Sequence, residues 1–145
     1  MKITLKQLGQ DFHLEASNAQ GNHVLMDSAP EAGGQGKGLR PMELVLSALG
    51  GCSAMDVISI LKKQKQEITG FEVDVQGTRE KTGDYSLFKE IVLRFQLTGP
   101  IDAGKLERAV LLSLEKYCSV AKTLEPTARI RSIIHLNGTP LTPQK

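Results

Sequence analysis

Apolar residues alternate with polar ones at Ile3 and Leu5, and again at Phe12, Leu14 and Ala16, with Leu8-Gly9-Gln10-Asp11 between the two runs. That pattern predicts an antiparallel hairpin with one wet face. His23 to Asp27 adds a third short strand after the Gln20-Gly21-Asn22 turn. Pro30, Gly33, Gly34, Gly36 and Gly38 then fall in a stretch without an apolar run, expected to be a mobile loop. At Pro41 the period changes. Proline suits a first helical turn, and from Met42 to Leu61 apolar residues cover most of the circumference, as in a helix buried on nearly all sides. Lys62, Lys63 and Lys65 favour its C-terminal end. Gly50-Gly51 interrupts it, at a cost of about 2 kcal/mol relative to two alanines. Close backbone approach or a break is expected there.

Strict alternation returns at Phe71, Val73 and Val75, and at Ile91, Leu93, Phe95 and Leu97, with the Lys81-Thr82-Gly83-Asp84 turn between. These are two strands of a hairpin, at about 70–79 and 87–98. Asp102 is a good N-cap, with Ile101 placed to staple against Leu106. The helix it opens is expected to run to Tyr117, followed by a short piece from Ser119 to Leu124 that stops before Pro126. A last strand spans Arg129 to Asn137. The fold class is α+β with an antiparallel sheet. The expected organisation is one domain over residues 1–138, with 139–145 a frayed tail.

Composition narrows the function. A chain of 145 residues, 40% hydrophobic and 23% charged, can bury a core. Its charge of +2 is scattered, and no basic stripe or aromatic platform suggests nucleic acid. The opening Lys2-Ile3-Thr4-Leu5-Lys6 has no apolar signal core, and polar residues interrupt Met42–Leu61, so neither a secretory signal nor a membrane span is read. The expected address is cytoplasmic, where two cysteines are free, catalytic or redox-sensing rather than a permanent staple. Two cysteines alone do not fill a structural zinc site. His13, His23 and His135 sit in strand patterns, so no metal and no cofactor is expected.

The chemistry rests on Cys52 and Cys118, 66 residues apart and each inside a compact motif. Cys52 reads either as a small packing residue in a buried helix or as a thiol activated by a helix break at Gly50-Gly51. Asp56 and Ser59 share its face of the helix, and the carboxylate disfavours a thiolate unless a cation offsets it. Cys118 alone reads as structural. Near Cys52 it could resolve an oxidised sulfur.

Arg40-Pro41-Met42-Glu43-Leu44-Val45-Leu46-Ser47-Ala48-Leu49-Gly50-Gly51-Cys52-Ser53, followed downstream by Glu115-Lys116-Tyr117-Cys118-Ser119-Val120-Ala121, resembles the OsmC/Ohr family of osmotically inducible and organic hydroperoxide resistance proteins. The resemblance spans essentially the whole chain. It implies antiparallel sheets wrapped around a long buried central helix, in an intertwined homodimer with active sites at the subunit interface. It also implies thiol-dependent reduction of organic hydroperoxides, with Cys52 peroxidatic, Cys118 resolving and an external dithiol as reductant. One departure stands out. Described members carry a glutamate directly after the motif proline, paired with an arginine, whereas here Met42 follows Pro41 and the glutamate is Glu43. Nine helical residues rise about 13.5 Å, so on an unbroken helix Glu43 would act through Arg40, across a dimer, or only as a capping carboxylate. Arg40 is the first choice for a cation lowering the Cys52 pKa, with Arg79 and Arg94 as others. Met42, Leu46, Leu49, Met55 and Tyr117 are candidates for an apolar substrate pocket. The rival reading is a non-catalytic dimer that binds a small apolar or acyl ligand.

Overall fold

Strands and helices appear in the expected order in the computed structural model, which describes residues 1–141. The chain forms two compact units, one up to Val45 and one from Leu46 onward. In the first unit β1 (Ile3–Gln7), β2 (Leu14–Asn18) and β3 (His23–Met26) make a three-stranded antiparallel sheet in sequence order. Ile3, Leu5 and Phe12 are all more than half exposed, and every residue of β1 is open in the single chain.

The glycine-rich segment differs from the mobile loop expected of it. It folds around the Asp27 carboxylate, which is 3% exposed and accepts the backbone N–H groups of Ser28, Gln35 and Lys37 at 2.7, 3.1 and 3.0 Å. Leu39 then bonds back to Leu25 and Asp27. A Cβ on Gly34 would lie 2.0 Å from the Ser28 carbonyl oxygen, so glycine is required by close backbone approach.

The long helix, α1 (Pro41–Lys63), runs through Gly50-Gly51 without a break. Gly50 is explained by contact: its Cβ would sit 2.8 Å from a methyl of Val75 on the neighbouring strand. Gly51 has open space around it. Within the single chain α1 is not buried on nearly all sides. Leu49, Ser53, Val57 and Leu61 form a fully buried stripe at the i, i+4 spacing, while Met55 is 74% exposed. By length and composition α1 could cross a bilayer, with a mean hydropathy of 1.9, yet its stripe is packed in a protein core.

In the second unit β4 (Gly70–Thr82) and β5 (Tyr85–Thr98) pair as a long antiparallel hairpin. Ile91, Leu93, Phe95 and Leu97 alternate into the core with almost no exposure. Then α2 (Ala103–Leu112), capped by Asp102 accepting Lys105 N–H at 2.9 Å, leads through a π turn (Ser113–Tyr117) to α3 (Ser119–Leu124). β6 (Arg129–Leu136) lies parallel to β5, where an all-antiparallel sheet was expected. The helical crossover between them is the connection a parallel pair requires. Asn137-Gly138, both at positive φ, turn the chain into β7 (Thr139–Leu141). Residues 139–141 are thus a paired strand rather than tail, and 142–145 lie outside the described residues. The sheet order is β4-β5-β6-β7.

Candidate active site

Two elements deliver the chemical groups. α1 carries Cys52, Ser53 and Asp56, and the i, i+4 spacing puts Cys52 and Asp56 on one face. Ser53 belongs to the buried stripe and carries its hydroxyl into the core. The second element is the end of α2. It widens into the π turn, in which Cys118 N–H reaches back five residues to the Ser113 carbonyl at 2.8 Å. Single π turns inside helical segments are rare and concentrate at functional sites. The turn leaves Cys118 extended (φ −70°, ψ 101°) at the start of α3, fully buried, with its sulfur accepting Ala121 N–H at 3.4 Å.

These elements bring together what the sequence separates. The two sulfurs and a carboxylate oxygen of Asp56 all lie within 4.8 Å of one another. Ser53 Oγ donates to Cys118 Sγ at 3.5 Å, and Ser113 Oγ donates to Asp56 Oδ2 at 3.0 Å. Both cysteines are reduced. Ser53 closed the first cysteine motif without being given a role, and Ser113 had no place in the sequence reading. Their spacing from Cys52 and Cys118 acquires meaning only once the helices are docked.

The electrostatics overturn one expectation. A Cys52 thiol pKa below the ordinary value was expected, but the thiol is pushed above it. Burial is the largest cause, followed by the hydrogen bond with Cys118. The Val120 N–H opposes them, and the charges of Cys118 and Asp56 add to the rise.

Arg40 and Glu43 form a tight pair within the first unit. Arg40 Nε donates to Glu43 Oε1 at 2.9 Å, and a second guanidinium nitrogen also meets that oxygen. Glu43 Oε2 accepts Arg40 N–H at 2.8 Å, the return half of a capping box. Glu43 thus caps the start of the helix and holds the Arg40 side chain at the same time. The pairing raises the guanidinium pKa and lowers that of the carboxyl. Arg79 donates to the Ser86 carbonyl and Arg94 to Gln76.

The apolar candidates scatter. Leu49 is fully buried, and Leu46 packs over Gly77 of β4. Met55, three residues after Cys52, and Tyr117, next to Cys118, are exposed. Met42 is half-buried near the start of α1. A cleft of about 390 Å³ lined by Phe71, Gln96 and His135 contains none of the sulfur-site residues.

Comparisons place the chain among known proteins. The family of OsmC-like proteins matches residues 34–132. Protein YhfA of Escherichia coli K12 is 44% identical over 115 residues, 78% of this chain and 81% of that protein. A hypothetical protein from Aquifex aeolicus is similar in structure, with a TM-score of 0.75 at 30% identity over 94% of this chain and 96% of that one. An organic hydroperoxide resistance protein, OsmC, from Legionella pneumophila shares the fold at a TM-score of 0.68 and 18% identity, over 92% and 96%.

Proposed function

The chain belongs to the OsmC-like family, and from that membership we propose that it is a thiol-dependent peroxidase acting on organic hydroperoxides. One observation carries the reading: two free thiols 66 residues apart in sequence lie within 4.8 Å. A packing role does not ask for their proximity. The Cys52 thiolate attacks the terminal peroxide oxygen. The O–O bond breaks, Cys52 becomes a sulfenic acid, and the alkoxide leaves as the alcohol after taking up a proton. Cys118 then attacks the Cys52 sulfur, the S–O bond breaks, and water departs with the proton Cys118 gave up. An external dithiol restores both thiols by exchange.

Cys52 must lose its proton for this, and its surroundings within one chain resist that. The activating cation belongs to the working assembly, which we read as a homodimer. Exposed Ile3, Leu5 and Phe12 in one unit, and Met55 and Tyr117 in the other, are the apolar surface a second copy would cover. A dithiol that must be reduced again after each turnover suits a reducing, cytoplasmic setting. The raised Cys52 thiol favours a second reading, a non-catalytic dimer binding a small apolar or acyl ligand. Thiol titration before and after one equivalent of cumene hydroperoxide decides between them. Loss of both thiols with an intramolecular disulfide is expected, and unchanged thiols would leave the binding module.

A further inference from the structure

Asp56 is the residue that the peroxide chemistry does not use. A carboxylate beside a nucleophilic thiol hinders its ionisation, yet Ser113, itself fully buried, donates a hydrogen bond that orients it toward the sulfurs. Two sulfurs and a carboxylate oxygen make a donor set with a chemistry of its own. We propose that reduced Cys52, Cys118 and Asp56 form a binding site for a soft divalent cation of the zinc class, and that a Cys52–Cys118 disulfide excludes it.

The geometry suits the ion. Zinc holds sulfur at about 2.3 Å and oxygen at about 2.0–2.2 Å, so a tetrahedral site sets its ligand atoms about 3.5–3.8 Å apart. The three atoms here already lie within 4.8 Å of one another, and closing onto a metal asks for about 1 Å, within reach of side-chain rotation. The surrounding hydrogen bonds remain useful when the ion is bound. Ser113 holds the carboxylate, while Ser53 O–H and Ala121 N–H donate to Cys118 and Val120 N–H to Cys52. Donors to ligand atoms are what fix a site's orientation. Three protein ligands with Cys52 and Asp56 only half-buried leave the fourth position open to water, the arrangement of an exchangeable rather than a closed structural site.

Binding replaces two thiol protons by one cation, so two protons leave as the metal enters. Oxidation reverses it: the two Sγ atoms join, two electrons pass to the oxidant, and the cation departs unchanged in charge. The site therefore holds its metal only in the reduced chain. Counting cysteines along the sequence missed it because the third ligand is a carboxylate.

Equilibrium dialysis of the reduced protein against Zn²⁺ alone tests the site without reading activity, so it stands or falls apart from the peroxidase reading. One zinc per chain is expected. It should be lost when diamide oxidises the dithiol and regained after reduction. Asp56→Asn keeps the size of the side chain and leaves an acceptor for Ser113, and it should weaken binding by about 100-fold, since losing a ligand costs at least as much as losing an outer-shell partner. Co²⁺ in place of Zn²⁺ should give an intense thiolate-to-metal charge-transfer band, which a histidine or surface carboxylate site does not produce. No binding to the reduced chain would overturn the proposal. So would zinc that survives diamide, affinity indifferent to Asp56→Asn, or a cobalt complex without the band.

Discussion

Two acids, one buried and one half-buried, are treated in opposite ways in the two units. Asp27 is surrounded by three backbone N–H groups, and these hold its carboxyl below the ordinary value of 3.8, Lys37 contributing most, against the opposing effect of burial. Cys52 has the Val120 N–H, but burial, Cys118 and Asp56 push its thiol up. The first group is an anion completed by its own loop, so its charge is structural and permanent. The second is a thiol whose surroundings favour its neutral form. A structural acid is one whose donors come from the same segment; a reactive one is left short of them.

The largest test falls on the thiol site. Cys52→Ser is expected to abolish hydroperoxide turnover, a loss on the order of 10⁴-fold or more for an essential nucleophile. Cys118→Ser should permit one oxidation and then stop with a sulfenic acid that over-oxidises to sulfinic acid. Mass spectrometry of the two variants after peroxide treatment separates the roles, and a sulfenic acid on Cys118 in preference to Cys52 would reverse them.

On the structural side, the sharpest probe is the backbone around Asp27. Gly34→Ala places a Cβ on the Ser28 carbonyl, and relieving an overlap of that kind costs about 1–3 kcal/mol. Chemical denaturation should report a destabilised protein. An unchanged midpoint would mean that the loop is as mobile as its composition suggested.

The charge of Asp27 can be tested by acid. A carboxyl with a lowered folded pKa contributes stability that is complete above its unfolded value and is lost as pH falls through the folded one. The Ser28, Gln35 and Lys37 amide resonances should therefore hold steady down to the ordinary carboxylate range and move together only below 3.8. Asp27→Asn should remove the transition, and movement of these amides at higher pH would count against the anchored loop.

Much of this was legible in the chain. Period-2 runs at Phe71–Val75 and Ile91–Leu97, the Asp102 cap and the two cysteine motifs led to the α+β class and to the family. What escaped was what depends on docking. Asp27 gave no local sign of taking up, besides the amide of Ser28 next to it, two amides from eight and ten residues ahead, so its loop read as glycine-rich and mobile. The β5–β6 pair is parallel because two helices intervene, a consequence that the element order already held. Asn137-Gly138 is a strong hairpin signal, obscured by the prolines that follow. The Cys52 environment depends on α3 backbone and a π turn, which no periodicity announces.

The smallest expected effect discriminates most finely. Gly50 and Gly51 sit side by side in α1, yet only Gly50 has a reason within the chain, its contact with Val75. Around Gly51 there is open space. Alanine in a helix interior is better than glycine by about 0.8–1.0 kcal/mol, so in an isolated chain Gly51→Ala should stabilise by that amount. If a second copy covers this face of α1 beside Cys52, the added methyl meets that copy instead, and the gain is cancelled by a weaker dimer. We expect the second result: light scattering at falling concentration should show Gly51→Ala dissociating before the wild type, while Gly50→Ala weakens folding without changing the assembly. A stabilised Gly51→Ala protein of unchanged mass would leave this face uncovered, and any activation of Cys52 would then have to come from its own chain.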